Sequence, residues 1–229
     1  MSKKVKSAVK GAKGQDGKDA AGKTEEKCPC QLILKVFRKQ EWNKKPGSSS
    51  ENVQQGGTIG DFELWKVGDK EPLVTGKMLE AAGPSSKTRG SDQRVSPGSY
   101  GLIKNPGSKG PYRLIQTTQA AATASFGTRG AVNIHGGNNP VDLEGCLLPG
   151  SASTTNKVTE PPAKKGGKGE ISEYPSISGS QSKLSEIKAQ IAKYGTTESM
   201  TTYDGAEKYN TAYYNNVTVV IYEIGSGSK

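Results

Sequence analysis

Thr58-Ile-Gly-Asp-Phe-Glu-Leu-Trp-Lys-Val67, Gly68-Asp-Lys-Glu-Pro72 and Leu73-Val-Thr-Gly-Lys-Met-Leu-Glu80 decide the fold class. Two strand-like runs, Thr58–Val67 and Leu73–Glu80, flank the turn Val67-Gly68-Asp69-Lys70, which predicts a hairpin. Upstream, Leu32, Leu34 and Val36 alternate within Gln31–Arg38 and predict a first strand. Polar loops are expected over 43–57 and 83–96. Short strands follow near Ser99–Lys104, Tyr112–Gln116 and Ala131–His135, each bounded by Gly or Pro. Asn216–Ile224 reads as the strongest strand, returning to the sheet centre. One helix is predicted over Gln181–Tyr194, where Leu184, Ile187, Ile191 and Ala192 recur at helical spacing. Ser180 or Ser182 would cap its start and Gly195 its end. The expected fold is mainly β, a sandwich or barrel, with one α-helix in the C-terminal half.

Composition limits how much of the chain can be core. Only 31 % of the 229 residues are apolar, against 30 glycines and 12 prolines. Polar stretches cannot offset the entropy of ordering them. One β-rich domain is therefore expected over 31–224, with a low-complexity insert at about 151–180 and a tail at 225–229. Residues 1–30 read as a flexible, disordered basic tail; 1–27 hold eight lysines and four acids.

The net charge of +10 suits nucleic acid, anionic lipid or an anionic polymer such as cell wall. No nucleic-acid motif and no basic helix face interleaved with aromatics is present, which disfavours nucleic acid. Residues 1–30 lack an apolar core and no 18-residue apolar run exists, so neither a signal peptide nor a membrane span is expected. The protein is expected to be made in the cytoplasm. Cys28, Cys30 and Cys146 are too few for a disulfide framework. There is no phosphate-binding loop or dinucleotide fingerprint, so no cofactor is expected.

The segment that could carry chemistry is Val132-Asn-Ile-His135-Gly-Gly-Asn-Asn-Pro-Val-Asp-Leu-Glu-Gly145-Cys146. His135 is the only histidine. A strand ending in His, a Gly/Asn turn and a Gly-Cys return can bring imidazole and thiol face to face. A free thiol has a pKa of about 8.5 and needs a base to become a nucleophile near neutral pH. Imidazole removes that proton and later gives it to the leaving group. A third group must orient the ring; a backbone carbonyl can serve, and Asn138, Asp142 and Glu144 are side-chain candidates. Gly145 permits close backbone approach, and amides around Cys146 could face a developing oxyanion. Gly136 belongs to the same supporting set. The competing reading is a buried structural cysteine and a satisfied turn histidine.

The segment resembles the signature of L,D-transpeptidases, in which His-Gly precedes Ser/Thr-x-Gly-Cys. It resembles more closely a related family of uncharacterised bacterial and phage domains. The matching elements are Arg38, Thr58-Ile59-Gly60, Leu79-Glu80, Ser96-Pro97-Gly98-Ser99-Tyr100, Ile134-His135-Gly136-Gly137-Asn138 and Gly145-Cys146. The resemblance covers about two-thirds of the chain. It implies an L,D-transpeptidase-like β fold, with Cys146 as nucleophile and His135 as base. The family places Ser or Thr two residues before the cysteine and Arg soon after it. Glu144 and Leu147-Leu148 stand there instead. Arg89, Arg94 or Arg129 could replace that arginine as a carboxylate clamp, and Tyr100, expected in the core or rim, is a further substrate-binding candidate.

What the resemblance implies is an acyl-transfer or amide-cleaving enzyme, hydrolase or transferase, acting on peptidoglycan stem peptides. Without an export signal it would need delivery by phage lysis or by a contractile injection or secretion apparatus. Residues 1–30 would engage that apparatus, and an immunity protein would be a further partner. The alternative is a non-enzymatic structural or cargo component of such a machine. Cys28-Pro29-Cys30 could join Cys146 and His135 on zinc, but Cys-x-Cys is tighter than usual zinc spacing, and no metal is expected. Trp42 and Trp65 are expected in the core or rim rather than as a sugar platform.

Overall fold

Alternation along Leu32–Trp42 (β1) turns Leu32, Leu34 and Val36 to one side, where each is fully buried. Antiparallel pairing carries the chain through Gly57–Lys66 (β2) and Val74–Glu80 (β3). The remaining strands of this sheet are Gly98–Lys104 (β4), Tyr112–Ile115 (β5), Asn133–Ile134 (β6), Leu147–Gly150 (β7), Thr197–Asp204 (β10) and Glu207–Tyr222 (β11). Ala152–Thr159 (β8) and Ile171–Ser178 (β9) form a separate hairpin. In this computed structural model residues 31–88, 91–116, 131–165, 167–204 and 207–225 are described.

The order β1-β2-β3-β7-β6-β5-β4-β11 closes on itself, because β11 pairs with β1 in parallel from Leu32–Val217 to Phe37–Tyr222. The chain is thus mainly β, an eight-stranded barrel rather than an open sandwich. Closure removes the free edges that a sheet would otherwise expose. β10 pairs only with β11 and extends the sheet as an outside ribbon. Inward residues of every second position form one cluster, including Phe62, Leu64, Leu102, Ile134, Leu147 and Val219. Each such burial is worth roughly 1.5–3 kcal/mol, and a chain poor in apolar residues concentrates them here.

One mouth of the barrel is covered by a helix. The helix Ser180–Tyr194 (α2) adds Leu184, Ile187 and Ile191 to the interior cluster, which places it over the mouth where β1 and β3 begin. At the opposite mouth the interior turns polar. Arg38, next in the inward series after Val36, meets Glu80 and the carbonyl of Val95. Arg94 adds ion pairs to Glu41 and Glu223. No helix among the described residues is long and apolar enough to cross a membrane.

Several expectations change. The stretch expected to be low complexity is the β8–β9 hairpin, with α2 starting directly after it. β8 is a run of small polar residues exposed along most of its length, so its sequence lacks the apolar alternation by which strands are recognised. Residues 161–165 and 167–169 fall in the connection, outside either strand. A short helix, Glu51–Gln55 (α1), interrupts the polar loop and buries Val53. Neither serine caps α2: Gly179, left-handed, holds the cap position, and the Ser180 hydroxyl accepts the N–H of Gly137 instead. β10 was not foreseen. The basic tail, Cys28 and Cys30 lie outside the described residues.

Candidate functional site

β6 and β7 run parallel, with Ile134 opposite Leu147. A parallel return needs a dozen or so connecting residues. Residues 135–146 supply them, so the chain crosses back instead of returning as a hairpin. His135 therefore lies one residue beyond the shared rung and Cys146 one residue before it. Ile134 and Leu147 face the barrel interior, so alternation puts both residues on the outer side. Strand spacing and rise put their Cα atoms roughly 8 Å apart, a diagonal rather than a direct pair.

The turn that delivers Cys146 is tight. The Cys146 N–H donates to the Leu143 carbonyl at 2.8 Å, with φ of 45° at Glu144 and 82° at Gly145. Positive φ at both central residues is the type I′ pattern. Gly145 meets that demand without strain. Glu144 is held in it by an ion pair to Lys109 at 2.6 Å, and that pair lowers the Glu144 pKa. Because the Cys146 amide serves the turn, it is not the oxyanion donor expected from the sequence.

The thiol is 3 % exposed and sits against the start of β6. Sγ accepts the N–H of Asn133 at 3.4 Å and lies 3.7 Å from the carbonyl oxygen of Ala131. No hydrogen bond joins it to His135. The imidazole Nδ1 is 2.8 Å from the Gly136 carbonyl, which can only accept, so Nδ1 carries the proton. Nε2 then bears the lone pair; it is buried and has no hydrogen-bond partner among the described residues. Burial, helped by Lys109, pushes the His135 pKa below its usual 6.5, against the opposing pull of Gly136, Asp142 and Glu144. The ring is neutral near pH 7.

A backbone carbonyl thus orients the ring, and Gly136 acts through its oxygen rather than as an oxyanion donor. Asn138 is exposed and does not hold the imidazole; its N–H goes to Asp142 and its carbonyl to Ile177. Asp142 closes the Pro140–Asp142 turn by accepting from Asn138 and Asn139. The loop 105–111 covers His135 from the other side. Gly110 approaches so closely that a Cβ there would stand 2.4 Å from the His135 Cβ. Asn105 holds that loop through the carbonyls of Lys109 and Gly110.

Of the expected substrate-binding residues, Arg129 and Arg89 lie outside the described residues. Arg94 does not reach a free substrate face: its fork is filled by Glu41, Glu223 and Thr58 at the polar mouth. Tyr100 is fully buried in the barrel, donating its hydroxyl to the Ser96 carbonyl; it belongs to the core and reaches no substrate face. Trp42 packs on the outer cluster of Ile59, Leu79 and Leu148. Arg113 and Asn133 were missed. Tyr112 and Leu114 face inward, so Arg113 faces outward, and its Nε donates to Asn133 Oδ1 at 3.2 Å. A charged residue inside the short apolar run Tyr112-Arg-Leu-Ile115 was the available signal. Comparisons with family models, curated proteins and solved structures find no match to this chain.

Proposed function

We propose that this chain is a cysteine-dependent enzyme that transfers or hydrolyses the acyl group of an amide in peptidoglycan stem peptides. The observation that carries the reading is His135. It is a neutral imidazole with a fixed tautomer, whose buried lone pair at Nε2 has no partner among the described residues, just past the end of the strand that runs beside Cys146. A buried acceptor without a partner costs about 1–3 kcal/mol, a cost more readily kept where the atom has work to do.

The thiol swings from the Ala131 carbonyl and gives its proton to Nε2. The thiolate adds to the amide carbon; the Asn133 N–H on sulfur favours the anion. The C–N bond breaks as the amine takes the proton from Nε2, leaving a thioester. Water then releases the acid, or an amine takes the acyl group. The peptidoglycan substrate rests on the resemblance of the His135…Gly145-Cys146 segment and agrees with the net positive charge. The protein reaches the wall through a phage or a contractile injection or secretion apparatus, engaged by residues 1–30.

A second reading has its own observation. The thiol is 3 % exposed and already engaged by the Asn133 N–H and the Ala131 carbonyl, as a structural cysteine would be. On that reading the chain is a non-enzymatic part or cargo of the same machinery. Mass spectrometry of peptidoglycan fragments after incubation with wild-type protein and with Cys146→Ala separates the two. New fragments lost in the variant support the enzyme, and their masses distinguish cleavage from exchange. No products from several wall types, with Cys146 slow to alkylate, support the structural reading.

A further inference from the structure

The β10–β11 ribbon leaves the barrel at a cavity. β11 pairs with β4 no further than Tyr213 opposite Ile103, and its residues before Tyr213 pair with β10 alone among the described residues. Continued along both strands, that register would set Asn210 opposite Pro106. Proline has no N–H to give, so the ladder stops there. The Thr211 hydroxyl bridges the parting strands by donating to the Lys104 carbonyl at 2.6 Å. Beyond the bridge lies a cavity of about 680 Å³, lined by Asn105, Pro106, Glu198, Ser199 and Asn210 among others.

The main chain of Asn210 is aimed into that cavity. Asn215 donates its N–H to the Thr196 carbonyl across the ribbon, and the β10–β11 register runs unbroken from there towards the tip. In an antiparallel pair the direction of the main-chain groups alternates from residue to residue. The N–H and C=O of Asn210 therefore point away from β10, to the side of Pro106. Lys104 and Glu198 bring one charge of each sign to the lining, and most of the rest is hydroxyl and amide. Such a lining selects no ion, whereas an open strand edge selects another main chain.

The cavity is also within reach of the thiol. Ala212, next to Tyr213, falls level with Lys104; Lys104 pairs with Tyr112, and Tyr112 with Ile134, which precedes His135. Along that rung three strand spacings, roughly 15 Å, separate β11 from β6. The loop 105–111 stands between them: Asn105 and Pro106 wall the cavity, and Gly110 covers His135.

We propose that the cavity is a peptide-binding subsite, where an extended segment of the substrate pairs its main chain with Asn210, about four or five residues along the chain from the amide that Cys146 attacks. The ligand class is an extended, uncharged peptide backbone, read with little regard to its side chains. Its distance from the reacting bond rests on the reading of Cys146 as the nucleophile; the binding of peptide does not.

Two measurements test it, on the full chain carrying Cys28→Ser and Cys30→Ser so that one thiol reports. Acetyl-tetraalanine amide at millimolar concentration should shift the NMR amide signals of Asn210 and Lys104. The same peptide methylated on every backbone nitrogen should not. Equal shifts from both, or shifts from neither, overturn the subsite. The second measurement is a ruler: iodoacetyl-capped oligoalanine amides of increasing length alkylate Cys146. The sulfur–carbon bond forms, iodide leaves and the thiol proton is released. Relative to iodoacetamide, the rate constant should rise about tenfold, peak at about four or five residues and lose that gain in Asn210→Pro. Should Asn210→Pro not fold, the methylated oligoalanine of the same length takes its place. A rate indifferent to length overturns the proposal that bound peptide leads to the thiol. Resistance of Cys146 to iodoacetamide itself sinks the nucleophile reading, and the shifts at Asn210 still decide whether the cavity holds a peptide.

Discussion

Arg38 Nε and Nη2 donate to the two carboxylate oxygens of Glu80 at 3.0 and 2.7 Å, with both side chains 2 % exposed or less. The pair stands where the apolar barrel interior gives way to the polar mouth. Removing Glu80 leaves Arg38 with only the half-exposed Glu223, at 3.4 Å, as a counter-charge, and breaking such a buried pair typically costs about 3–5 kcal/mol. Glu80→Ala is therefore expected to lower stability by about that much in urea unfolding. The double variant Arg38→Met/Glu80→Leu should lose less than Glu80→Ala alone. A double variant as unstable as the sum of its singles would show that the two charges act independently.

Glu160 fastens the end of β8 to the loop before α1. It accepts hydrogen bonds from the Ser48 hydroxyl and from the N–H and hydroxyl of Ser49. These bonds hold its pKa down to about 2, from an ordinary 4.5. A depressed carboxylate stabilises the fold above its unfolded pKa and loses that contribution as pH falls through its folded one. Stability is thus expected to decline between about pH 4.5 and 2 in part through this group. Glu160→Gln should be less stable at pH 7 and show a shallower decline over that window in thermal unfolding. An identical acid profile in both proteins would remove Glu160 from the acid response.

His135, as the only histidine, gives one imidazole titration in NMR. Its midpoint is expected below 6.5, because burial disfavours the charged ring. The unfolded chain then binds more protons, so the folded state loses stability as pH falls from 6.5 towards the folded midpoint. Lys109 lowers this pKa and Glu144 raises it. Lys109→Met should move the midpoint up and Glu144→Gln should move it down. Shifts in the same direction from both variants would mean that the ion pair acts by covering the ring, not by its separate charges.

The barrel was legible in the sequence where apolar alternation is strong: β1, β2 and β11 turn Leu, Val, Ile and Phe inward at alternate places, and β3 turns Val74 and Met78 inward. β8 and β10 were not, because polar strands are held by pairing alone and leave no pattern in one chain. His135 and Cys146 stood out as rare residues set among glycines. Their diagonal, parallel relationship did not, since it depends on which way residues 135–146 cross. Arg113 and Asn133 were missed because their importance lies in a pairing between β5 and β6, across residues 117–130 of the sequence.

Gly110 gives the sharpest test of how closely the 105–111 loop is moulded on the histidine. Its φ is 78°, and an added Cβ would lie 2.4 Å from His135 Cβ and 2.5 Å from the Ile134 carbonyl oxygen. Both neighbours are at or next to backbone, so neither can swing aside. Gly110→Ala must therefore displace the loop as well as strain its own backbone, at a combined cost of about 2–3 kcal/mol. A displaced loop admits water to the imidazole. Since burial is the largest cause of the low His135 pKa, the NMR midpoint should rise towards 6.5 as stability falls. Lys109 moves with the loop and its repulsion weakens too, so both effects raise the midpoint. A variant with the predicted loss of stability but an unmoved midpoint would show that the ring is buried by α2 and the Gly136–Asn139 turn, with the loop an onlooker.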